Sequence, residues 1–197
     1  VDTTYFSPGP ELKREDVITF TFIGRLLYDK GIREFIAAAH IVKKKHNHVR
    51  FWLIGQIDEG NPSAIKKSDL VSWIKDPDID YLGSKEDVRP YILESDCVVL
   101  PSYREAIARS LTEAMSMAKP VIGTDTAGVR EAISDKENGF LVKVKDAESL
   151  ALAMESFIGL TPEERKKMGE NGREKAVWEF DDNKIARQVC SIIEDIH

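Results

Sequence analysis

Cysteine is almost missing from this sequence, with Cys97 and Cys190 the only two in 197 residues. Two thiols so far apart in the chain exclude a disulfide framework and a zinc-ligand spacing, so both are expected as free thiols, buried or half-buried. An excess of positive charge is missing too. The formal net charge is -6, whereas a protein that neutralises many phosphates carries a basic face, so no nucleic-acid partner is expected. Local basic pairs such as Lys66 and Lys67 read as solvated helix surface. No apolar run approaches the roughly 20 residues needed to span a bilayer. The opening VDTTYFSPGPELKRED lacks the charged-then-apolar layout of a signal peptide. These absences give the expectation of a cytoplasmic chain. Histidine is sparse: His40, His46, His48 and His197 are placed at a helix surface, in packing or at the end. No carboxylate pair sits in a setting that suggests a metal, and none is expected.

What is present is one domain's worth of core, 42% apolar over 197 residues, read as a single domain over 1–197. Short β-rich runs, ITFTFIGRL, VRFWLIGQI, DIDYLG, CVVLPS, PVIGTD and GFLVKV, alternate with helix-like sequence. In the first helix Ile32, Phe35, Ile36, Ala39 and Val42 make one apolar stripe against Arg33, Lys43 and Lys44. Six such alternations predict βαβ units and a mostly parallel sheet covered on both faces. From Asp146 onward the pattern is helical, closing on an amphipathic helix marked by Ile185, Val189, Ile192 and Ile193. In open parallel sheets ligands sit beyond the carboxyl ends of the strands, so the loops after the runs are where function is sought.

Two of those loops carry chemistry. PSYREAIARSLTEAMSMAKP, residues 101–120, leaves a strand and enters a helix near Ala108. Its apolar positions Leu111, Ala114, Met115 and Ala118 share one side, and Arg109 and Glu113 share the other. The plain reading of that second side is an exposed i, i+4 ion pair worth a few tenths of a kcal/mol, about what such surface pairs contribute. The functional reading starts from the helix mouth, where free N–H groups and the dipole favour an anion. Glu105 lies before the first turn and Glu113 beyond it, which leaves the amides around Ile107 to Ser110 free for a phosphate and the carboxylates for hydroxyl groups. A sugar nucleotide has both. The second loop, in FIGRLLYDKG (22–31), ends a strand at Gly24 and offers Arg25 and Lys30 beside a helix start. It lacks the GxGxxG spacing of a dinucleotide fingerprint, but two cations there suit a diphosphate. The alternative is that both cations decorate a loop.

GRLLYDKG, PSYREAIARSLTEAMSMAKPVIGTDTAGVREAI and ENGFLVKVKD together closely resemble the carboxyl-terminal, donor-binding half of the retaining glycosyltransferases called group 1 or family 4, which have the GT-B fold. The resemblance covers nearly the whole chain, and it rests on the order GRL-x3-KG, E-x7-E, KPVIGTD and NGFLV. It implies an α/β fold, a Rossmann-like doubly wound parallel sheet of about six strands with C-terminal helices, forming one half of a GT-B enzyme. It implies that Arg25 and Lys30 neutralise the donor diphosphate and that Glu105 lies against the transferred sugar. Glu113 would accept hydrogen bonds from the ribose, and the amides of Ile107 and Ala108 would meet the sugar or phosphate. Gly24, Arg109, Ser110 and Leu111 complete the implied ligand shell, with the catalytic roles on Glu105, Arg25 and Lys30. The base would lie near the loop after DIDYLG, around Tyr81 to Gly83. Two positions depart from the family pattern, Ala106 after the first glutamate and Ala118 before Lys119 and Pro120, where Gly is usual.

The resemblance further implies a nucleotide-diphosphate sugar as substrate, a uridine diphosphate sugar first, with no cofactor and no metal. The partners it implies are a glycan or lipid-linked acceptor and an N-terminal acceptor domain that this chain does not contain. The isolated domain is then expected to be inactive, and the whole protein is expected in the cytoplasm or against the inner face of the membrane. Two rivals stay open: a GT-B sugar-nucleotide epimerase, and a non-catalytic sugar-nucleotide-binding module.

Overall fold

The computed structural model of the protein describes residues 1–10 and 17–194, without the side chains of Val189 and residues 192–194. Six parallel strands form one sheet: β1 (Ile18–Ile23), β2 (Val49–Ile54), β3 (Asp80–Gly83), β4 (Cys97–Leu100), β5 (Val121–Thr124) and β6 (Gly139–Val142), in the order β3-β2-β1-β4-β5-β6. The helices between them are α1 (Ile32–Lys43), α2 (Lys67–Ile74), α3 (Arg89–Glu94), α4 (Arg109–Ser116) and α5 (Ala127–Ala132). Three more follow the last strand: α6 (Ala147–Ile158), α7 (Pro162–Glu179) and α8 (Asp182–Glu194). This is the Rossmann-like α/β fold expected, and no described helix is long and apolar enough to cross a membrane.

Side chains alternate across a strand, and the two faces are covered accordingly. On one face Phe20 of β1 stacks on Phe51 of β2 at 5.5 Å between ring centres and meets Phe157 of α6 edge-on at 5.7 Å. Phe35 of α1 closes that cluster. On the other face Trp52 of β2 meets Tyr91 of α3 edge-on at 6.2 Å. The stripe Ile32, Phe35, Ile36, Ala39 and Val42 is buried as a unit. Cys97 is a buried free thiol; Cys190 is free but exposed, because α8 has its cysteine on the solvent side. Ile185 of α8 is exposed as well, and the other apolar positions expected there, Val189, Ile192 and Ile193, fall outside the described side chains.

The two ends of the described chain meet. Thr3 donates its hydroxyl to Asp181, and Arg173 of α7 reaches the carbonyls of Thr3 and Phe6 at 2.9 and 3.2 Å.

Ala118 departs from the sequence reading. It does not continue the apolar side of α4, which ends at Ser116; it turns the chain with φ +56°, the left-handed region where glycine is at ease and a methyl group is strained. The strain of an L-residue there is about 1–2 kcal/mol, and glycine's extra freedom in the unfolded chain offsets about 0.4–1 kcal/mol of its relief. Ala118→Gly is therefore expected to stabilise the protein by about 0.5–1 kcal/mol, raising Tm by roughly 1–4 °C in a chain of this size. A fall in the urea midpoint would show that the methyl group's contacts outweigh its strain.

Candidate functional site

Strand order reverses between β1 and β4, because β1 pairs with β2 on one side and β4 on the other. The loops after β1 and β4 therefore diverge, leaving the crevice in which such sheets hold ligands. Gly31 joins these loops. Its φ is +74°, and a Cβ there would lie 1.9 Å from the carbonyl oxygen of Pro101, so only glycine lets the two come this close. Across the contact the Tyr103 amide donates to the Asp29 carbonyl at 2.7 Å.

That approach sets Lys30 beside Glu105. Lys30 Nζ donates to Glu105 Oε1 at 2.6 Å, and their side chains are 21% and 9% exposed. The cation expected on a diphosphate and the carboxylate expected on a sugar thus form one pair at the switch point. Arg25 is not part of it: its guanidinium donates to Asp58 Oδ2 at 2.7 Å, an exposed pair with the loop after β2. Asp58 escaped the sequence reading because it lies 33 positions away. Gly24 continues the ladder, its amide donating to the Ile54 carbonyl at 3.0 Å.

At the mouth of α4, Ala108 is the N-cap and supplies no side-chain cap. Among the described residues the amides of Ile107, Ala108 and Ser110 have no acceptor, whereas that of Arg109 is turned onto the Ile107 carbonyl at 3.0 Å. Leu111 cannot take part as a ligand: its side chain is fully buried and its amide donates to Ala108. The exposed ion pair of the plain reading is also not found, since no contact within 4 Å joins Arg109 and Glu113 among the described residues. Glu113 is instead half-buried, and burial raises its carboxyl above the ordinary carboxylate range, the charge of Arg109 opposing more weakly.

Two supports of the Glu105 loop were not singled out from sequence, although both lie inside quoted stretches. The Tyr103 hydroxyl donates to Glu34 Oε1 of α1 at 2.7 Å, and burial, then Glu34, push that phenol well above its usual range. Glu34 Oε2 and the Thr126 hydroxyl are buried without a hydrogen-bond partner among the described residues. Gly128 of α5 lies under the loop, where a Cβ would sit 2.4 and 2.5 Å from the carbonyl oxygens of Glu105 and Ala106. Ala106 itself is exposed and keeps a negative φ, so the methyl group that replaces the usual glycine fits its backbone here. Tyr81 and Gly83 lie in strand β3, as the run DIDYLG predicts, and the Tyr81 hydroxyl donates to the Gly55 carbonyl at 3.0 Å. A recess of about 930 Å³ among Pro10, Leu93, Pro120 and Arg165 opens at the amino ends of the strands, and none of these site residues lines it.

Comparison with known proteins agrees with this fold. The chain is 31% identical over 177 residues to the N,N'-diacetylbacillosaminyl-diphospho-undecaprenol alpha-1,3-N-acetylgalactosaminyltransferase of Campylobacter jejuni, covering 88% of this chain and 44% of that protein. It spans about half the length of the curated relatives it matches. The solved C-terminal domain of a group 1 glycosyl transferase family protein from Francisella tularensis superposes with a TM-score of 0.78 at 26% identity, over 92% of this chain and 99% of that one. Anabaena HepE, solved with UDP and glucose, superposes with a TM-score of 0.82 at 21% identity, over 98% of this chain and 55% of that one. Residues 6–175 match the family model described as glycosyl transferases group 1, and the chain belongs to that family.

Proposed function

We propose that this chain is the carboxyl-terminal, donor-binding domain of a retaining glycosyltransferase that takes a uridine diphosphate sugar and works without a metal at the transfer site. The observation that carries the reading is the Lys30–Glu105 pair beside three unoccupied amides at the mouth of α4. A diphosphate held there meets the ammonium and the amides, so the charge that develops on the leaving group is met by groups already at the site, and the Arg25 guanidinium joins them by leaving Asp58. Glu105 then faces the transferred sugar and Glu113 the ribose. The Francisella domain, matched almost end to end, supports the assignment to a carboxyl-terminal half, and the UDP in the Anabaena structure supports the donor. The Campylobacter relative's name supports a lipid-linked acceptor, held on a separate acceptor domain of a cytoplasmic protein that lies against the inner face of the membrane.

Glu113 gives the test. A carboxyl raised by burial favours the neutral form in the fold. Its stabilising contribution is complete below the unfolded-state value and is lost as pH rises through the raised one. At neutral pH the ionised carboxylate therefore burdens the ligand-free protein, and hydroxyl donors from a ribose would relieve it. Glu113→Gln is expected to make the free protein more stable at pH 7 and to flatten the fall in stability across the weakly acidic range. It should also weaken UDP binding. In a titration with UDP and 2'-deoxy-UDP or 3'-deoxy-UDP against both proteins, the two losses should couple by about 0.5–3 kcal/mol for one of the deoxy ligands. Strict additivity with both would remove the ribose role.

A further inference from the structure

We propose that His40, Asp76 and Asp78 form a binding site for a divalent ion of the zinc class, at the end of the sheet opposite the transfer site. His40 is on the last turn of α1, and Asp76 and Asp78 are in the turn between α2 and β3. One ligating atom from each lies within 4.8 Å of the other two, and all three residues are half-buried. Zinc bonds to imidazole and carboxylate are about 2 Å long, so tetrahedral ligands stand roughly 3.3 Å apart. Here His40 Nε2 and Asp76 Oδ2 are 2.6 Å apart. Small side-chain rotations, closing one gap and opening the other, produce the site without moving the backbone.

One member of the cluster is left without a partner. Asp76 is paired with His40, whereas the Asp78 carboxylate has no hydrogen bond or ion pair among the described residues. Lys43 and Lys44 border the same recess, yet neither pairs with Asp76 or Asp78. Asp76 is already oriented, because its Oδ1 accepts the Asp78 amide at 2.9 Å, the kind of outer hydrogen bond that fixes a ligating carboxylate. The imidazole decides the class of ion. Calcium and magnesium take oxygen ligands, whereas one nitrogen and two carboxylates suit zinc, with water in the fourth position. Bound there, the ion ties the end of α1 to the turn that leads into β3, and it takes no part in sugar transfer.

Zinc is titrated calorimetrically into the chelator-treated protein, with magnesium in parallel. The expected result is one saturable zinc site, a zinc-dependent rise in Tm, and no rise with magnesium. His40→Ala and Asp78→Asn should each weaken zinc by about tenfold or more and remove the rise. The triple variant His46→Ala/His48→Ala/Cys190→Ser, which removes other candidate nitrogen and sulfur ligands, should keep both. Asp78→Asn breaks no described side-chain hydrogen bond, so it carries the test if His40→Ala does not fold. The proposal is overturned if no saturable site is found, if magnesium binds as well as zinc, if Asp78→Asn leaves zinc affinity unchanged, or if the triple variant loses it.

Discussion

Lys30→Ala is expected to lower both stability and nucleotide affinity, and Glu105→Gln added to it should restore only the first. With Lys30 gone, a carboxylate that is 9% exposed loses its only described partner. Breaking a fully buried pair costs about 3–5 kcal/mol; with the lysine 21% exposed, about 2 kcal/mol is the expectation here, since water screens a partly exposed charge. Replacing Glu105 as well removes the stranded charge and recovers most of that. Affinity behaves differently. An ammonium has three donors, so Lys30 can keep Glu105 and still give two to a diphosphate. A charge-assisted contact of this kind contributes about 1.5–3 kcal/mol, roughly 10- to 150-fold in Kd. The loss should appear for UDP and not for uridine, in the single and the double variant alike. Equal losses for UDP and uridine, or none for either, would leave the pair a purely structural one. Arg25 makes a useful contrast: its exposed pair with Asp58 is worth about 0–1 kcal/mol, so Arg25→Ala should leave Tm almost unchanged while weakening UDP.

Gly128→Ala sets two effects against each other. Helix propensity favours alanine by about 1 kcal/mol, and on that count the variant would be more stable. The added Cβ, however, would lie 2.4 and 2.5 Å from two backbone carbonyl oxygens, which cannot swing aside as a side chain can. Overpacking of this sort costs about 1–3 kcal/mol, and against rigid backbone the upper part of that range applies. The expected outcome is a net loss of about 1–2 kcal/mol in urea unfolding. Because the loop that yields carries Glu105, a UDP-sugar should be weakened more than UDP itself in calorimetry. A more stable variant with unchanged discrimination between the two ligands would mean that the loop does not depend on Gly128.

Much of the fold was legible because each strand is short, apolar and followed by an amphipathic helix, a pattern that only stacked βαβ units satisfy. Lys30 and Glu105 were legible as residues of two loops at the carboxyl ends of strands. Their pairing was not, since it depends on strand order and on Gly31 letting Pro101 approach. Ala118 was misread by periodicity, which continues past the point where the backbone turns at φ +56°; the resemblance marked it instead, as a position where glycine is usual. Leu111 and Arg109 were assigned to the ligand shell by position, and the local folding of the first turn consumes both amides. His40 lies on the helix surface as read, but its carboxylate neighbours stayed hidden because they come from the turn after α2, Asp76 being 36 positions away.

The contact between the first residues and the start of α8 has a consequence for the order of assembly. Thr3 waits for a partner 178 positions later, and at about 5–20 residues per second on a ribosome that wait is roughly 10–35 s. Until Arg173 and Asp181 emerge, the opening segment is only partly held, by Arg89 over the Tyr5 ring at 3.7 Å and by the Ser116 hydroxyl, which donates to the Phe6 carbonyl at 2.6 Å, even though β1 through β6 are already available to pair. The join is therefore the last to close, and a nascent chain stalled before α7 would present this segment to chaperones and proteases while the sheet behind it is complete.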